Sequence, residues 1–237
     1  MLRLGMLTPS SNTVLEPVTY AMLRDQPSIT AHFARFKVTE IALSQAALGQ
    51  FDIAPVLSAA ELLAHAKCDV IAWNGTSASW LGFERDEELV RQIEAKTGIR
   101  SVTCVLGYRD LFRQMGIRRV GLVTPYTSDV QSRIMANWAA AGFNCTAERH
   151  AGLTDNFSFC QVDEVQIAQM IRDVAAEGCD AIAILCTNMN GAAVAARLEP
   201  ELNIPILDSV AVTLWSSLRA CGVETATLRG WGRVFAV

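Results

Sequence analysis

Two segments of the chain occur twice. Arg3-Leu4-Gly5-Met6-Leu7-Thr8-Pro9 returns as Arg119-Val120-Gly121-Leu122-Val123-Thr124-Pro125. Cys68-Asp69-Val70-Ile71-Ala72-Trp73-Asn74-Gly75-Thr76 returns as Cys179-Asp180-Ala181-Ile182-Ala183-Ile184-Leu185-Cys186-Thr187. A repeat of this kind restricts the chain to two copies of one arrangement. In 237 residues each copy is long enough to bury a core of its own. The expected division is a first domain over 1–115 and a second over 116–212, with the boundary near Gly116. The C-terminal segment 213–237 is expected to return to the first domain. At one matched position the copies differ in chemistry: Gly75 stands in the first and Cys186 in the second. Duplicated domains build a pseudo-symmetric cleft, so here a thiol is offered from one side only.

Short apolar runs alternate with helical periodicities, the pattern of βαβ units and a parallel sheet. Leu4–Thr8, Ala31–Phe36, Val70–Trp73 and Ser101–Val105 read as strands of the first copy. Val120–Thr124, Phe143–Arg149, Ala181–Leu185 and Pro205–Leu207 read as their counterparts. The fold class is therefore α/β, with two Rossmann-like domains. Each has a mainly parallel four-stranded sheet flanked by helices, and a cleft lies between them. A helix over Asp163–Glu177 places Val165, Ile167, Ala168, Ile171 and Val174 on an apolar stripe, with Gly178 at its end. A second helix begins at Ser128 and closes at Gly142. Val210–Leu218 is helical in pattern.

Composition removes several classes of function. The net charge is −4 and no Lys/Arg cluster occurs, so there is no footprint for nucleic acid. No run approaches the ~20 apolar residues of a membrane span. The N-terminus reads as a first strand rather than a signal peptide. Seven cysteines, an odd number without framework spacing, fit reduced thiols in the cytoplasm. No CxxC or HxxxH occurs, and His32, His65 and His150 are scattered, so no metal site is expected. Neither GxGxxG nor a P-loop is present, which leaves nucleotide binding without support.

In parallel α/β sheets ligands bind beyond the carboxyl ends of the strands. That directs attention to the loops Pro9–Thr13, Asn74–Ser79, Pro125–Asp129 and Cys186–Gly191, all rich in Ser, Thr, Asn and Gly. Helix N-termini behind such loops suit a small carboxylate. Cys186 reads either as a buried structural cysteine or as a reactive thiol, and its place in the repeat favours the second. Cys68 and Cys179 match each other and read as structural. Thr76 and Ser77 read as helix caps, or as donors to a carboxylate or enediolate. Ser10, Ser11 and Asn12 admit the same two readings. Tyr126 is not needed for capping, and Asn156 taken alone is a turn residue.

On these residues the chain resembles the arylmalonate decarboxylase and maleate cis-trans isomerase group of the aspartate/glutamate racemase superfamily. The resemblance covers essentially the whole chain. It rests on Thr8-Pro9-Ser10-Ser11-Asn12-Thr13, Gly75-Thr76-Ser77, Thr124-Pro125-Tyr126, Asp155-Asn156, Cys186-Thr187-Asn188 and Gly230-Trp231-Gly232-Arg233. It implies cofactor-free chemistry on carbon acids and admits a homo-oligomer. Racemases of the superfamily set one cysteine on each face of the substrate carbon, and maleate isomerases use the first-domain cysteine as nucleophile. Gly75 occupies that position here, as in arylmalonate decarboxylases, where one surviving cysteine protonates the carbanion left by CO₂. Asn12 and Asn156 resemble instead the amide pair with which maleate isomerases hold a carboxylate.

The leading expectation is a decarboxylase of a small substituted malonate or related dicarboxylate, with an aryl or alkyl carboxylate as the wider substrate class. Cys186 and Tyr126 are the catalytic residues, and Asn12, Gly75, Thr76, Ser77, Asn156 and Thr187 bind substrate. An unperturbed thiol, with a pKa of ~8.5, is mostly protonated at neutral pH, which suits a proton donor. The alternatives are a maleate-type isomerase or Asp/Glu-type racemase using the same cysteine, and a carboxylate-binding protein without catalysis.

Overall fold

The computed structural model describes residues 1–41, 43 and 53–237. The first copy supplies the strands β1 (Leu2–Pro9), β2 (Ile29–Phe36), β3 (Val70–Trp73) and β4 (Ser101–Thr103). The second supplies β5 (Arg119–Thr124), β6 (Asn144–His150), β7 (Ala181–Ile184) and β8 (Ile206–Asp208). They form two sheets of identical order, β2-β1-β3-β4 and β6-β5-β7-β8, and every pairing is parallel. The helices are α1 (Leu15–Met22), α2 (Ile53–His65), α3 (Ala78–Leu81), α4 (Phe83–Thr97) and α5 (Cys104–Gln114) in the first copy. α6 (Ser128–Ala140), α7 (Glu164–Ala176), α8 (Ala192–Leu202) and α9 (Ser209–Ala220) follow in the second. All four residues of β3 and of β7 are buried. Strands covered on both faces need continuous apolar runs, which is what the repeat conserves between its copies.

The repeated polar residues have matching jobs. Asp69 accepts the backbone N–H of Arg3 at 2.7 Å, and Asp180 accepts that of Arg119 at 2.8 Å, which ties the start of each central strand to its neighbour. A Cβ on Gly5 would lie 3.2 Å from the Cys68 sulfur, and one on Gly121 would lie 3.1 Å from that of Cys179. Cys68 and Cys179 are thus the packing partners of the two strand glycines, and burial raises the pKa of both thiols. All seven cysteines are free.

Two sequence expectations need correction. Ser101–Val105 is not a single strand: β4 stops at Thr103, whose hydroxyl accepts the N–H of Leu106 at 3.1 Å and starts α5 at Cys104. A Thr side chain satisfying a free helix donor outweighs the β preference of Val105. Val165 is not on the buried stripe of α7 but 79% exposed, while Ile167, Ala168, Ile171 and Val174 are buried. Two residues along a helix turn a side chain about 200° from Ile167, onto the solvent face. The other strand limits move by one or two residues, as fraying ends commonly do.

Helices α5 and α9 join the copies. Tyr108 and Phe112 of α5 pack on Trp138 of α6 with ring centroids 5.8 and 5.3 Å apart, and Phe112 also meets Phe143 at 5.2 Å. Each such pair contributes about 1 kcal/mol beyond its buried area. The segment 213–237 divides its contacts. α9 packs on α5, β3, β4 and α1 as well as on β8. The terminal turn Arg233–Ala236 packs on β8, and the Arg233 backbone N–H reaches Glu199 of α8 at 2.7 Å. No helix among the described residues is long and apolar enough to cross a membrane.

Candidate active site

The carboxyl ends of the two sheets face a common cleft of about 300 Å³, the open solvent at its mouth included. Gly75, Thr76 and Ser77 enter it from the loop after β3, Tyr126 from the loop after β5, and Cys186 and Thr187 from the loop after β7. Asn156 comes from the segment after β6. Pro9, Val38, Ile41, Trp73 and Trp80 complete an apolar wall. None of these lining residues carries a charge.

The Thr76 and Tyr126 hydroxyls lie 2.6 Å apart, one from each copy, and bridge the cleft. Ser77 makes no side-chain cap to α3, so its hydroxyl is not taken up in capping that helix. The backbone N–H groups of Gly75, Thr76 and Ser77 have no acceptor among the described residues. Trp80 and Phe159 hold the Tyr126 ring edge-on at 5.3 and 5.4 Å, which fixes the direction of its hydroxyl.

Cys186 is 3% exposed. Burial pushes its thiol up to about 12, against the opposing effects of a hydrogen bond with Tyr126 and of the Asn188 N–H, 3.4 Å from the sulfur. Burial likewise raises the Tyr126 phenol well above its ordinary value, and the neighbouring Cys186 adds to the shift. At neutral pH both groups are therefore protonated.

The amide residues take different places. Asn156 lines the cleft, and its side-chain N–H donates to Ser11 Oγ at 2.7 Å, leaving one amide hydrogen for a ligand. Asn12 is buried and does not line the cleft. Its Oδ1 accepts the N–H groups of Val14 and Leu15 at 3.0 and 2.9 Å, and its Nδ2 donates to Thr187 Oγ1 at 3.1 Å. Thr187 in turn donates to the Asn74 carbonyl at 2.9 Å. Asn188 receives the Thr13 N–H at 2.9 Å and donates to the Asn156 carbonyl at 2.6 Å. Asn12 and Asn188 thus stitch the two copies together directly beneath the cleft.

Sequence reasoning missed Trp73. A Cβ on Gly75 would stand 1.9 Å from Trp73 Cζ2 and 2.3 Å from Cε2. The indole therefore fills the place where a side chain at position 75 would begin, braced by the Phe36 ring at 5.1 Å. The repeat carries a signal for this. Trp73 matches Ile184, two residues before the Gly75/Cys186 mismatch, and residues two apart on extended chain point the same way.

Among the described residues no group of three or more His, Cys, Asp or Glu is placed to hold a metal ion. Fold and site together define a pseudo-symmetric α/β protein with a cleft that, among the described residues, is lined by uncharged groups and one thiol. The chain belongs to the arylmalonate decarboxylase family, whose model matches residues 12–235. It is 23% identical to a maleate isomerase of Geobacillus stearothermophilus over 94% of this chain and 93% of that one. It is 27% identical to an arylmalonate decarboxylase of Bordetella bronchiseptica over 70% of each. In structure it resembles a maleate isomerase variant from Pseudomonas putida S16 solved with maleate, with a TM-score of 0.91, 21% identity, and 99% of this chain and 97% of that one covered. It also resembles a liganded double mutant of arylmalonate decarboxylase, with a TM-score of 0.87, 22% identity and 99% of each chain covered. Its relatives are thus isomerases and decarboxylases.

Proposed function

We propose that the protein is a cofactor-independent decarboxylase of a small substituted malonate or related dicarboxylate, with Cys186 as the proton donor. The observation that carries this reading is the indole of Trp73 in the space over Gly75. A two-thiol racemase or an isomerase with a first-domain nucleophile needs a sulfur on that side of the substrate carbon, and an apolar ring stands there instead.

One substrate carboxylate lies against the free N–H groups of Gly75–Ser77 and the Thr76 and Tyr126 hydroxyls. The other points into the apolar wall, where no charged group among the described lining residues solvates it. The C–C bond to that second carboxylate breaks, CO₂ leaves, and the electron pair remains on the α carbon, delocalised into the first carboxylate as an enediolate. Preorganised neutral donors stabilise that developing charge more than they stabilise the ground state. The S–H bond of Cys186 then breaks, its proton goes to the α carbon on one face, and the thiolate recovers a proton from solvent. A thiol held neutral by burial is suited to this step and unsuited to nucleophilic addition. Asn156 offers its remaining N–H to the substrate, and Asn12 holds Thr187 and the β1–α1 loop in place.

A second reading, a maleate-type cis-trans isomerase, draws support from the maleate isomerase relatives, which match more of the chain than the decarboxylase does. One experiment separates the two. Protein incubated in D₂O with methyl- or phenyl-substituted malonates is expected to release CO₂ and incorporate one deuterium with a single handedness, and Cys186→Ala to abolish the reaction. Conversion of maleate to fumarate without decarboxylation would establish the isomerase instead. Turnover that survives Cys186→Ala would refute both.

A further inference from the structure

The two copies differ a second time behind the site. Thr103 ends β4 opposite Trp73, and Asp208 ends β8 opposite Ile184, so the two occupy the same place in the two sheets. Each caps the helix that follows. Thr103 accepts the Leu106 N–H, and Asp208 Oδ1 accepts those of Val210 and Ala211 at 2.8 and 3.2 Å. A neutral hydroxyl suffices for the cap in the first copy. Only the copy that carries the thiol uses an acid.

That acid has an oxygen to spare. Asp208 is 2% exposed, and its Oδ2 has no hydrogen-bond partner among the described residues. A buried carboxylate oxygen without a partner is costly. The oxygen points toward the loop that bears Cys186. A Cβ on Gly191, where that loop ends, would lie 3.0 Å from Oδ2 and 2.8 Å from Ile184 Cγ2, so only a glycine lets the loop close over the carboxyl group.

We infer that Asp208 is a positioning residue for the reaction, whose free carboxyl oxygen adds to the effect of burial by opposing, above neutral pH, a second negative charge on the neighbouring Cys186. The inference rests on the proton-donor role proposed for Cys186. Asp208 is among the groups that raise the Cys186 thiol, and burial pushes Asp208 itself up to about 7, so its charge acts above neutral pH. The other ionisable groups nearby are Cys104 and Tyr108 on α5, both kept protonated by burial, and Tyr126 across the cleft. Asp86 on α4 acts on Cys104, and Glu199 of α8 is engaged by the N–H groups of Ile206 and Arg233. None of them places a cation beside Asp208 on the Cys186 side.

The test reads the thiol without any substrate. Asp208→Asn keeps the capping oxygen and removes the charge, and Asp208→Thr copies the cap of the first copy should the amide disturb folding. The pH profile of Cys186 alkylation by iodoacetamide, followed by peptide mass spectrometry, is compared with that of the unmodified protein. Ultraviolet thiolate absorbance, taken as the difference from Cys186→Ala, gives the same titration where alkylation is slow. The expected result is a thiolate that forms at lower pH, with alkylation about tenfold faster at a given pH above neutrality, the size of a like-charge interaction at this depth. Coincident profiles in a folded variant, or a shift to higher pH, overturn the inference. A shifted profile in a protein that decarboxylates no malonate would leave Asp208 acting on the thiol and refute the proposed reaction alone.

Discussion

The indole of Trp73 covers Gly75 so closely that a Cβ there would sit 1.9 Å from Cζ2. The half of the site without a thiol is therefore filled, and the filling residue comes from the same strand end as the glycine. This relationship makes Gly75→Cys a sharp test. Alone, it is expected to lower stability by about 1–3 kcal/mol through overpacking and to leave the product with one handedness. Trp73→Ala removes the obstruction at a cost of about 3–5 kcal/mol for the lost burial. Combined, the two changes should be less harmful than their sum, and the double variant should give a product of mixed handedness. Thermal denaturation of the four proteins and chiral chromatography of the product decide it. Strict additivity, with no loss of handedness in the double variant, would count against Trp73 as the blocking group.

Tyr126→Phe keeps the ring between Trp80 and Phe159 and removes only the hydroxyl that meets Thr76 and Cys186. If that hydroxyl acts on the enediolate, kcat should fall about 100-fold while KM changes little, as for a single donor aimed at developing charge. A rise in KM at constant kcat would move Tyr126 from catalysis to ordinary substrate binding.

Asn12→Ala removes two acceptor contacts ahead of α1 and the link to Thr187. A loss of about 1–2 kcal/mol is expected for the cap alone, with a further cost for the Thr187 hydroxyl left without its donor. Because Asn12 does not line the cleft, substrate should still bind, with kcat lowered through the displaced Cys186–Asn188 loop. Denaturant titration and steady-state kinetics on the same preparation test both halves of this expectation.

Asp86 gives a prediction about pH. It is buried, its Oδ2 has no partner among the described residues, and burial raises it to about 7 despite Thr103 and Arg109, which favour its charged form. In the unfolded chain it titrates near pH ~4. Between these values the folded protein holds a proton that the unfolded chain has released. The contribution of Asp86 to stability is thus complete below about pH 4 and is lost as pH rises toward 7, up to ~4 kcal/mol in all. Asp86→Asn should remove that slope. Melting curves of both proteins from pH 4 to 8 are expected to diverge in favour of the variant as pH rises, and parallel curves would exclude the effect.

Much of the fold was legible because burial on both sheet faces forces apolar runs, and the duplication displayed each run twice. Residues such as Asp69 and Asp180 matched because they do the same work at the same strand ends. The errors fell where one side chain overruled a periodic pattern. Thr103 started a helix inside an apparent strand, and Val165 lay two residues out of step with the stripe it seemed to join. In the site, the loops at the carboxyl ends pointed to Gly75, Thr76, Ser77, Tyr126, Cys186 and Thr187. Asn12 looked like their equal, but its amide is consumed by α1 and Thr187. Trp73 and Asp208 escaped notice because an apolar strand residue and a helix cap are ordinary in sequence, and only the contacts of each give it meaning.

By itself the sequence determined that the chain is a duplicated parallel α/β protein and that its two copies offer unequal chemistry to a shared cleft. These follow from local patterning and from residue identity. Tertiary structure alone decided what fills the empty half, which amides remain free, and which acid stands behind the thiol. Those depend on atoms from distant segments meeting within a few ångströms, and on burial that holds Cys186 protonated, an environment that no stretch of sequence possesses until the two copies have closed on one another.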